Sequence, residues 1–277
     1  MAVQVLGSGG PDLRDKRASS SYLVWKDGKA LALIDAGGGS ALRFGESGAD
    51  MSQLEVILLT HLHADHTSDL PALVLSSRFE ERKQPLPVFG PPGNDRFPST
   101  TEFLDDLFGR SHGAWRYMSG VMNRSQPYFL VPHDVIAGET PLQVFKSADM
   151  TVDAVRTDHD HAPALAWRVE IGGKRIVFSG DTGGHGKGLP RLAENADIFV
   201  AHNATSRFSD PQTIAILMPP SVIGQIAAEA HVKRLVLSHR MAETLGKKHE
   251  AQTREDIRRT YSGPLQFAND LDCFPLK

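Results

Sequence analysis

The stretch ILLTHLHADHTSDLP, residues 57–71, is dense in side chains that can bind metal ions. Five of its fifteen residues are of this kind, namely His61, His63, Asp65, His66 and Asp69. A tight turn with the spacing His-x-His-x-Asp-His can aim two histidines at one ion, and the aspartate and third histidine at a second ion nearby. Surface histidines with chance spacing are the alternative, but an apolar strand pattern directly precedes these. The motif therefore predicts part of a metal centre, with Asp69 supporting the loop.

A catalytic centre needs more ligands than one loop provides, and the other candidates also follow predicted strands. They are His159 or His161 in TDHDHAP, Asp181 in VFSGDTGG, His202 in FVAHNAT and His239 in VLSHRM. In α/β proteins, ligands gather at such strand ends. An aspartate that follows a buried strand among small residues is suited to bridge two cations, although Asp181 alone could also be a turn former. The recurrence favours a site assembled from distant parts of the chain.

Short strands separated by glycine- and aspartate-containing turns dominate the first third of the chain. We expect strands over VQVLG, SYLVW, LALID and EVILLT, and a helix after the histidines with Ser68 as its N-cap. Further on, Gly172 and Gly173 form the turn of a hairpin, and strands then alternate with helices, one of them capped by Ser221. Strands followed by such alternation predict sheets covered by helices, an α/β (α+β) fold. The motifs LIDAGGG and FSGDTGG indicate two similarly built halves.

The segment from Ser111 to Pro132 is rich in aromatic residues and weakly periodic. Just before it, STTEFLDDLFGR has helical spacing and a capping serine, Ser99. For the segment itself, a flap that faces the substrate and an ordinary packed loop are equally consistent with the sequence.

Composition limits the binding partners and the cellular locations that we expect for the protein. The 277 residues carry a net charge of -3, which gives no strong overall attraction to nucleic acid or anionic lipid. The apolar runs are far shorter than the ~20 residues needed to cross a bilayer, so no membrane span is expected. Cys273 is the only cysteine, which excludes an internal disulfide and a cysteine-based zinc site. The N-terminus lacks a signal-peptide pattern, so we expect a cytoplasmic location, or a periplasmic or secreted one if a signal peptide has been trimmed.

The motifs THLHADH, HDHAPALAWRVE, FSGDTGG and LVLSHRM, in this order, resemble those of the metallo-β-lactamase fold superfamily. The resemblance is to the branch that contains ribonuclease Z and arylsulfatase-like hydrolases, and it runs from Leu6 almost to the C-terminus. It implies a four-layer αβ/βα sandwich, one domain over residues 1–277 with two similar halves, and a dinuclear zinc centre in the cleft between them. Mn²⁺ and Fe²⁺ are other occupants consistent with the resemblance.

The resemblance also implies a set of metal ligands, which are His61, His63, Asp65, His66, His159, Asp181 and His239. The histidines of THLH and HDH would hold the first ion. The residues of ADH, together with the histidine of LSHRM, would hold the second, and Asp181 would bridge both. Within HDH, we expect His159 to be the ligand, and His161 is the alternative.

Two residues are expected to act on the reaction itself. Asp65, as a ligand, would orient the nucleophile, and His202 would assist the leaving group from outside the ligand set, or else serve as a core histidine. The superfamily members that reduce oxygen at a di-iron site have glutamate where this chain has His63. Hydrolysis on zinc is therefore favoured over redox chemistry. By analogy with carboxylates that orient metal-bound histidines, Asp35 is expected to lie behind the ligands.

The predicted function is hydrolysis of a phosphoester, sulfate ester or related small ester, with a metal-bound hydroxide as the nucleophile. A lactonase or β-lactamase-like amide hydrolase, and a non-catalytic binding protein that retains the fold, are alternatives. A further alternative is a ribonuclease Z-like endonuclease that processes transfer RNA 3′ ends. Nucleic acid is therefore a possible partner, but it is not the favoured one. Two features weigh against it: HNAT, with Asn203, stands where ribonuclease Z sequences usually read HEAT, and no basic arm is evident. The expected partner is a small-molecule ester, and a homodimer stays open.

Overall fold

Fourteen strands form two seven-stranded sheets in the computed structural model, which describes residues 1–276. The strands are β1 Ala2–Gly7, β2 Ser21–Lys26, β3 Lys29–Ile34, β4 Val56–Leu58, β5 Leu86–Gly90, β6 Leu130–Asp134, β7 Leu142–Lys146, β8 Met150–Thr157, β9 Ala164–Ile171, β10 Lys174–Phe178, β11 Ile198–His202, β12 Leu235–Ser238, β13 Leu265–Phe267 and β14 Cys273–Pro275. The first sheet has the order β14-β1-β2-β3-β4-β5-β6, and the second β13-β12-β11-β10-β9-β8-β7. The two sheets therefore come from the two halves of the chain, apart from β14.

The described residues form eight α-helices, most of which cover the outer face of a sheet. They are α1 Ser40–Ser47, α2 Ala64–Thr67, α3 Leu70–Ser76, α4 Thr100–Phe108, α5 Gly188–Leu192, α6 Pro211–Ile216, α7 Pro220–Glu229 and α8 Lys247–Arg258. Short 3-10 helices lie at Leu13–Asp15, Met51–Gln53, Arg116–Met122 and Ala242–Thr244. Among the described residues, none of the helices is long and apolar enough to cross a membrane.

Alternating apolar side chains explain why the sheets stack in this way. In β2, Tyr22 and Val24 point to the interior between the two sheets, whereas Leu23 points to the outer helices. In β10, Phe178 points inward and Val177 points to the other set of helices. Because successive side chains of a strand face opposite sides, each sheet can bury both of its faces. The result is the predicted mixed α/β architecture, which is confirmed.

Parallel pairing in the centre of each sheet aligns the strand ends. In the first sheet β3, β4, β5 and β6 are parallel, and in the second β10, β11, β12 and β13 are parallel. Loops that leave the carboxyl ends of parallel strands emerge at one edge of a sheet, where binding residues collect. The predicted hairpin turn is also present, since Gly172 and Gly173 both have positive φ between β9 and β10.

Two predicted helix caps are wrong. Ser68 does not begin a long helix but lies at the end of the short helix α2, and α3 starts anew at Leu70. Helix α7 begins at Pro220, so Ser221 is already inside it. In both places a proline occupies the first helical turn, where its missing N–H costs nothing and its fixed φ suits the helix. The capping box of Ser99 with Glu102 is formed as predicted.

The aromatic-rich segment 111–132 belongs to the outer layer of the first sheet. Its 3-10 helix buries Met118 and Val121 in the apolar cluster that also contains Leu104 and Phe108 of α4. Before β6 begins at Leu130, the segment thus packs on the helical layer through these two residues, while its Tyr117 is exposed.

Arg82 lies in the loop between α3 and β5 and stabilises it through hydrogen bonds from a buried side chain. It is 8% exposed, and its guanidinium donates to the carbonyl oxygens of Met51, Leu54, Gln84 and Pro85. Arg82→Met keeps most of the stem but leaves these carbonyls unpaired. We expect a loss of about 3 kcal/mol in the free energy of unfolding, measured by urea denaturation. Arg14→Met, at an exposed ion pair, is the control and should change it by less than about 0.5 kcal/mol; equal effects would contradict this role.

Candidate metal centre

The candidate ligands lie where strands of both sheets end. Asp35 follows β3, His61 follows β4, His159 follows β8, Asp181 follows β10, His202 ends β11 and His239 follows β12. His63, Asp65 and His66 stand on the turn that leads into α2 and on its first residues. The two halves of the chain thus bring their candidate ligands to one place, as the sequence predicts for strand-end ligands.

One group of ring nitrogens belongs to His61, His63 and His159. Their nearest candidate ligand atoms all lie within 4.8 Å of one another. The Nε2 of His61 is 3.0 Å from the Nδ1 of His63. Nδ1 of His159 donates to the carbonyl of Ile216 at 3.0 Å, which leaves Nε2 as the free acceptor on that ring. Burial and the neighbouring His66 hold the pKa of His61 well below its usual value, as suits a neutral imidazole ligand.

A second group consists of His66, Asp181, His202 and His239, again with candidate atoms within 4.8 Å of one another. Asp65 adjoins it, since its Oδ2 lies 3.2 Å from the Nε2 of His239. All of the residues predicted as ligands therefore converge. His202, which was predicted to lie outside the ligand set, is a member of the second group.

Asp181 lies between the two groups. Its Oδ2 is 3.7 Å from Nε2 of His159 in the first group. The same oxygen is 3.8 Å from Nε2 of His66 and 3.2 Å from Nε2 of His239 in the second. One carboxylate oxygen thus faces imidazoles of both groups, which is the placement that a bridging ligand needs.

Charges in the cluster compensate one another. Burial raises the pKa of Asp65, but the hydrogen bond with His239 and the nearby His66 outweigh it and lower the pKa to about 2. Burial opposes ionisation of Asp181 as well, yet His239 and His202 hold its pKa well below the usual range. Burial lowers the pKa of His239, but Asp181 and Asp65 outweigh it and raise the pKa well above its usual value. Buried carboxylates of this kind call for cations beside them.

Asp35 and Thr60 hold His66 from behind. Asp35 is fully buried in a left-handed conformation with φ 56°, and it accepts hydrogen bonds from the Thr60 N–H at 2.7 Å and hydroxyl at 2.8 Å. Its Oδ2 also lies 2.8 Å from Nδ1 of His66, which can donate to it. Within the described residues, the buried Nε2 of His66 has no hydrogen-bond partner. A carboxylate behind a histidine whose other nitrogen is free is the usual arrangement of a metal-binding imidazole.

The donor set and its geometry fit metal ions. Imidazole nitrogens and carboxylate oxygens are the ligands that zinc and other divalent metals take in catalytic sites. A cation would give the buried Nε2 of His66 the partner that it lacks, and it could replace the hydrogen bond of 3.0 Å between the ring nitrogens of His61 and His63. Gly10 contributes by its small size, because a Cβ there would lie 2.5 Å from the ring of His239.

His161 and His202 occupy very different surroundings. The side chain of His161 is 57% exposed and lies 3.7 Å from Asp160, outside both groups. The His202 side chain is buried, with Nδ1 2.7 Å from Asp181 Oδ1 and Nε2 3.1 Å from the hydroxyl of Tyr22. Burial lowers the pKa of His202 to about 4, even though Asp181 pulls in the opposite direction. Asn203 is also buried, and its side-chain amide donates to the carbonyl of Thr205.

Sequence reasoning missed Thr60, Tyr22 and Gly10. Thr60 stands directly before His61, and its hydroxyl could have been considered as a partner of the motif. Tyr22 reads as an ordinary strand aromatic, and no local signal connects it with His202, which is 180 residues away. Asp35 was expected by analogy with carboxylates that orient metal-bound histidines, and it lies behind His66.

Buried imidazoles and carboxylates that converge between two helix-covered sheets define a candidate metal centre. The chain belongs to the metallo-beta-lactamase superfamily, whose family model matches residues 14–216. The resemblance stated from the motifs is thereby confirmed.

Three known proteins illustrate the similarity. The ribonuclease Z of Mycobacterium bovis (strain BCG / Pasteur 1173P2) is 28% identical over 98% of this chain and 96% of its own length. The ribonuclease Z of Mycolicibacterium gilvum is 32% identical over 72% of this chain and 67% of its own. Among solved structures, human tRNase Z, short form, matches with a TM-score of 0.77, 22% identity and full coverage of both chains. The structural match bears on the fold.

Removal of metal is expected to lower the thermal stability of the protein. A metal present at ~100 times its dissociation constant stabilises the folded state by about 2.7 kcal/mol, and each kcal/mol shifts Tm by about 2–4 °C in a chain of roughly this size. Calorimetry after dialysis against a chelator, and again after zinc is restored, measures the shift. An unchanged Tm in a sample whose metal content has been shown to change would contradict a metal centre built into the fold.

Proposed function

We propose that this metal-dependent hydrolase cleaves phosphodiester bonds, and that RNA of the transfer RNA precursor type is its first candidate substrate. The observation that carries the proposal is the position of Asp181 Oδ2, which faces histidines of both groups. Two-metal sites of this kind suit in-line displacement at phosphorus. The names of the matched relatives, ribonuclease Z, support the choice of an RNA substrate.

The first ion would be held by His61, His63 and His159. The second would be held by Asp65, His66 and His239, and Asp181 would contact both; zinc is the metal that the donor set favours. When bound, such ions lower the pKa of a water from ~15.7 toward ~7 and polarise the oxygen under attack.

Two further features of the chain lie beside the metal ligands and could contact the substrate. Asp65, whose side chain is 12% exposed, is the least buried carboxylate of the cluster. It can accept a hydrogen bond from a donor group that lies beside the metal ligands. Phe97 lies beside His63, with ring centroids 5.5 Å apart, and offers an aromatic face next to the first group. Such a face can stack on a nucleobase.

A small phosphodiester or related small ester is the second candidate substrate. A cavity of about 330 Å³ adjoins His159, and its walls are partly apolar and partly polar, with one guanidinium, Arg156, and two carboxylates, Asp158 and Asp160. Its apolar lining includes Val135, Ile136, Ala137, Ala162 and Pro163. This volume lies at the lower end of the ~300–1,000 Å³ that small-molecule sites usually have. The cavity could hold one ring-sized group of a small ester as readily as one nucleotide.

A substrate panel tests the proposal. Zinc-loaded protein is assayed with a labelled precursor transfer RNA that carries a 3′ extension, with bis(p-nitrophenyl) phosphate, with a lactone and with a β-lactam. We expect turnover of the activated phosphodiester, and cleavage of the RNA at one position near its 3′ end. Turnover of the diester without cleavage of RNA would move the substrate to the small-ester class. Turnover of only the lactone or the β-lactam would overturn the proposal.

A matched variant shows whether any turnover comes from this site. Asp181→Asn should lower cleavage of both phosphodiesters by on the order of 10³-fold. Asp153→Asn, at a buried carboxylate that pairs with Arg168 away from the cluster, should retain it. A contaminating nuclease would give equal activity in both preparations.

A further inference from the structure

Tyr22 reaches from the first sheet to the second and contacts the back of the candidate metal centre. It lies on β2, is fully buried between the sheets, and packs on Phe178 with ring centroids 5.4 Å apart. Its hydroxyl is 3.1 Å from Nε2 of His202 at the end of β11. The other nitrogen of His202, Nδ1, is 2.7 Å from Oδ1 of Asp181. A continuous path of hydrogen bonds therefore runs from Tyr22 to the carboxylate between the two groups.

The chemistry of the groups fixes the direction of each hydrogen bond. An ionised carboxylate can only accept, so Nδ1 of His202 must carry a proton and donate to Asp181. In a neutral imidazole the other nitrogen is then an acceptor, and the tyrosine hydroxyl must donate to it. Burial raises the pKa of Tyr22, so the hydroxyl keeps its proton. Asp181 thus fixes the tautomer of His202, and the hydroxyl of Tyr22 binds the opposite nitrogen and holds the ring with its N–H toward Asp181.

We infer that Tyr22 is a positioning residue, which through His202 holds Asp181 Oδ1 and so leaves Oδ2 directed at the ligands of both groups. The inference rests on the proposed metal function. It also changes the role of His202: since both of its ring nitrogens are engaged within the protein and its side chain is buried, it orients Asp181 and is not placed to give a proton to a leaving group.

Tyr22→Phe tests the inference with little disturbance of packing. The ring and its contact with Phe178 are kept, and only the hydroxyl is lost. Partners that orient ligands typically contribute ~10–100-fold to metal affinity, so we expect zinc affinity, measured by competition with a chromophoric chelator, to fall by about that factor. The visible spectrum of the cobalt-substituted protein should change as well. Tyr261→Phe is the control, because Tyr261 is a buried tyrosine whose hydroxyl donates to the carbonyl of Pro264, and its zinc affinity should equal that of the wild type.

Variants of His202 distinguish positioning from proton donation. Asparagine can place an N–H near the position of Nδ1 but cannot transfer a proton at neutral pH. If His202 positions Asp181, then His202→Asn should retain zinc affinity and turnover far better than His202→Ala. Equal loss of turnover in both variants at unchanged zinc affinity would overturn the inference and favour proton donation.

The outcomes separate this inference from the proposed function. Wild-type protein that binds no zinc would refute the metal function itself. Wild-type protein that binds zinc, with Tyr22→Phe binding it equally and giving the same cobalt spectrum, would refute only the role of Tyr22. Should Tyr22→Phe lose its fold by circular dichroism, His202→Asn and His202→Ala carry the test.

Discussion

Asp181→Asn is expected to lower phosphodiester turnover by on the order of 10³-fold, because metal-assisted charge stabilisation is worth several kcal/mol and each 1.36 kcal/mol is tenfold in rate. Asparagine keeps the size of the side chain but loses the charge that faces His66, His159 and His239. Zinc content per chain, measured by mass spectrometry of the metal, should fall in parallel. The kinetic measurement is kcat at saturating substrate and fixed zinc.

The controls decide whether that loss is specific. His63→Ala removes a half-buried histidine of the first group and should lose activity in the same way. Asp153→Asn disturbs a buried ion pair elsewhere and should retain both metal and activity. Circular dichroism should show that all three variants are folded. Full activity and full zinc content in Asp181→Asn would refute the site.

Asp35→Ala is expected to combine a large loss of stability with a loss of metal affinity. Removing one member of a buried charged pair typically costs about 3–5 kcal/mol, and here it also leaves the Thr60 amide and hydroxyl without their acceptor. His66 loses the carboxylate that orients its ring, so zinc affinity should fall by about 10–100-fold. Urea denaturation of the chelated protein gives the first quantity, and chelator competition gives the second.

Asp69→Ala is the matched control for Asp35→Ala. Asp69 lies in the same part of the chain, and its carboxylate accepts from the Ala41 N–H at 2.9 Å at the start of α1. It is not a member of either histidine group. Its loss should cost about 1 kcal/mol and leave zinc affinity unchanged. If Asp35→Ala bound zinc as tightly as Asp69→Ala does, Asp35 would be a structural residue and no more.

The parts of the fold and site that depend on short sequence motifs could be predicted from the sequence. The spacing of THLHADH and the apolar strands before Asp181 and His239 were enough to predict converging ligands, because parallel strands deliver their ends to the same edge. Strands followed by an alternation of helices and strands predicted sheets covered by helices. The helix starts at Ser68 and Ser221 were wrong, since nearby prolines set the first turn in each case.

Other features depend on contacts between distant residues. The hydrogen bond from Tyr22 to His202 joins strands of different sheets, and nothing near Tyr22 in the sequence distinguishes it from a core aromatic. The choice between His159 and His161 likewise depends on how the loop after β8 turns. That turn buries His159 beside Asp181 and leaves His161 exposed.

The substrate was the feature that the sequence predicted least well. Net charge, the absence of a basic arm from the sequence pattern, and Asn203 in HNAT favoured a small ester. Similarity over nearly the whole chain to proteins named ribonuclease Z favours RNA. Asn203 is buried, and its side-chain amide donates to the carbonyl of Thr205 in the loop that follows it.

The proposed chemistry requires two ions, one on either side of Asp181. The most direct test is a crystal structure of protein prepared with zinc and without chelators, with anomalous data collected on both sides of the zinc absorption edge. We predict two anomalous peaks, one among His61, His63 and His159 and the other among Asp65, His66 and His239, each within bonding distance of Asp181. Fully ordered ligand side chains with no anomalous peak near Asp181 would contradict the account.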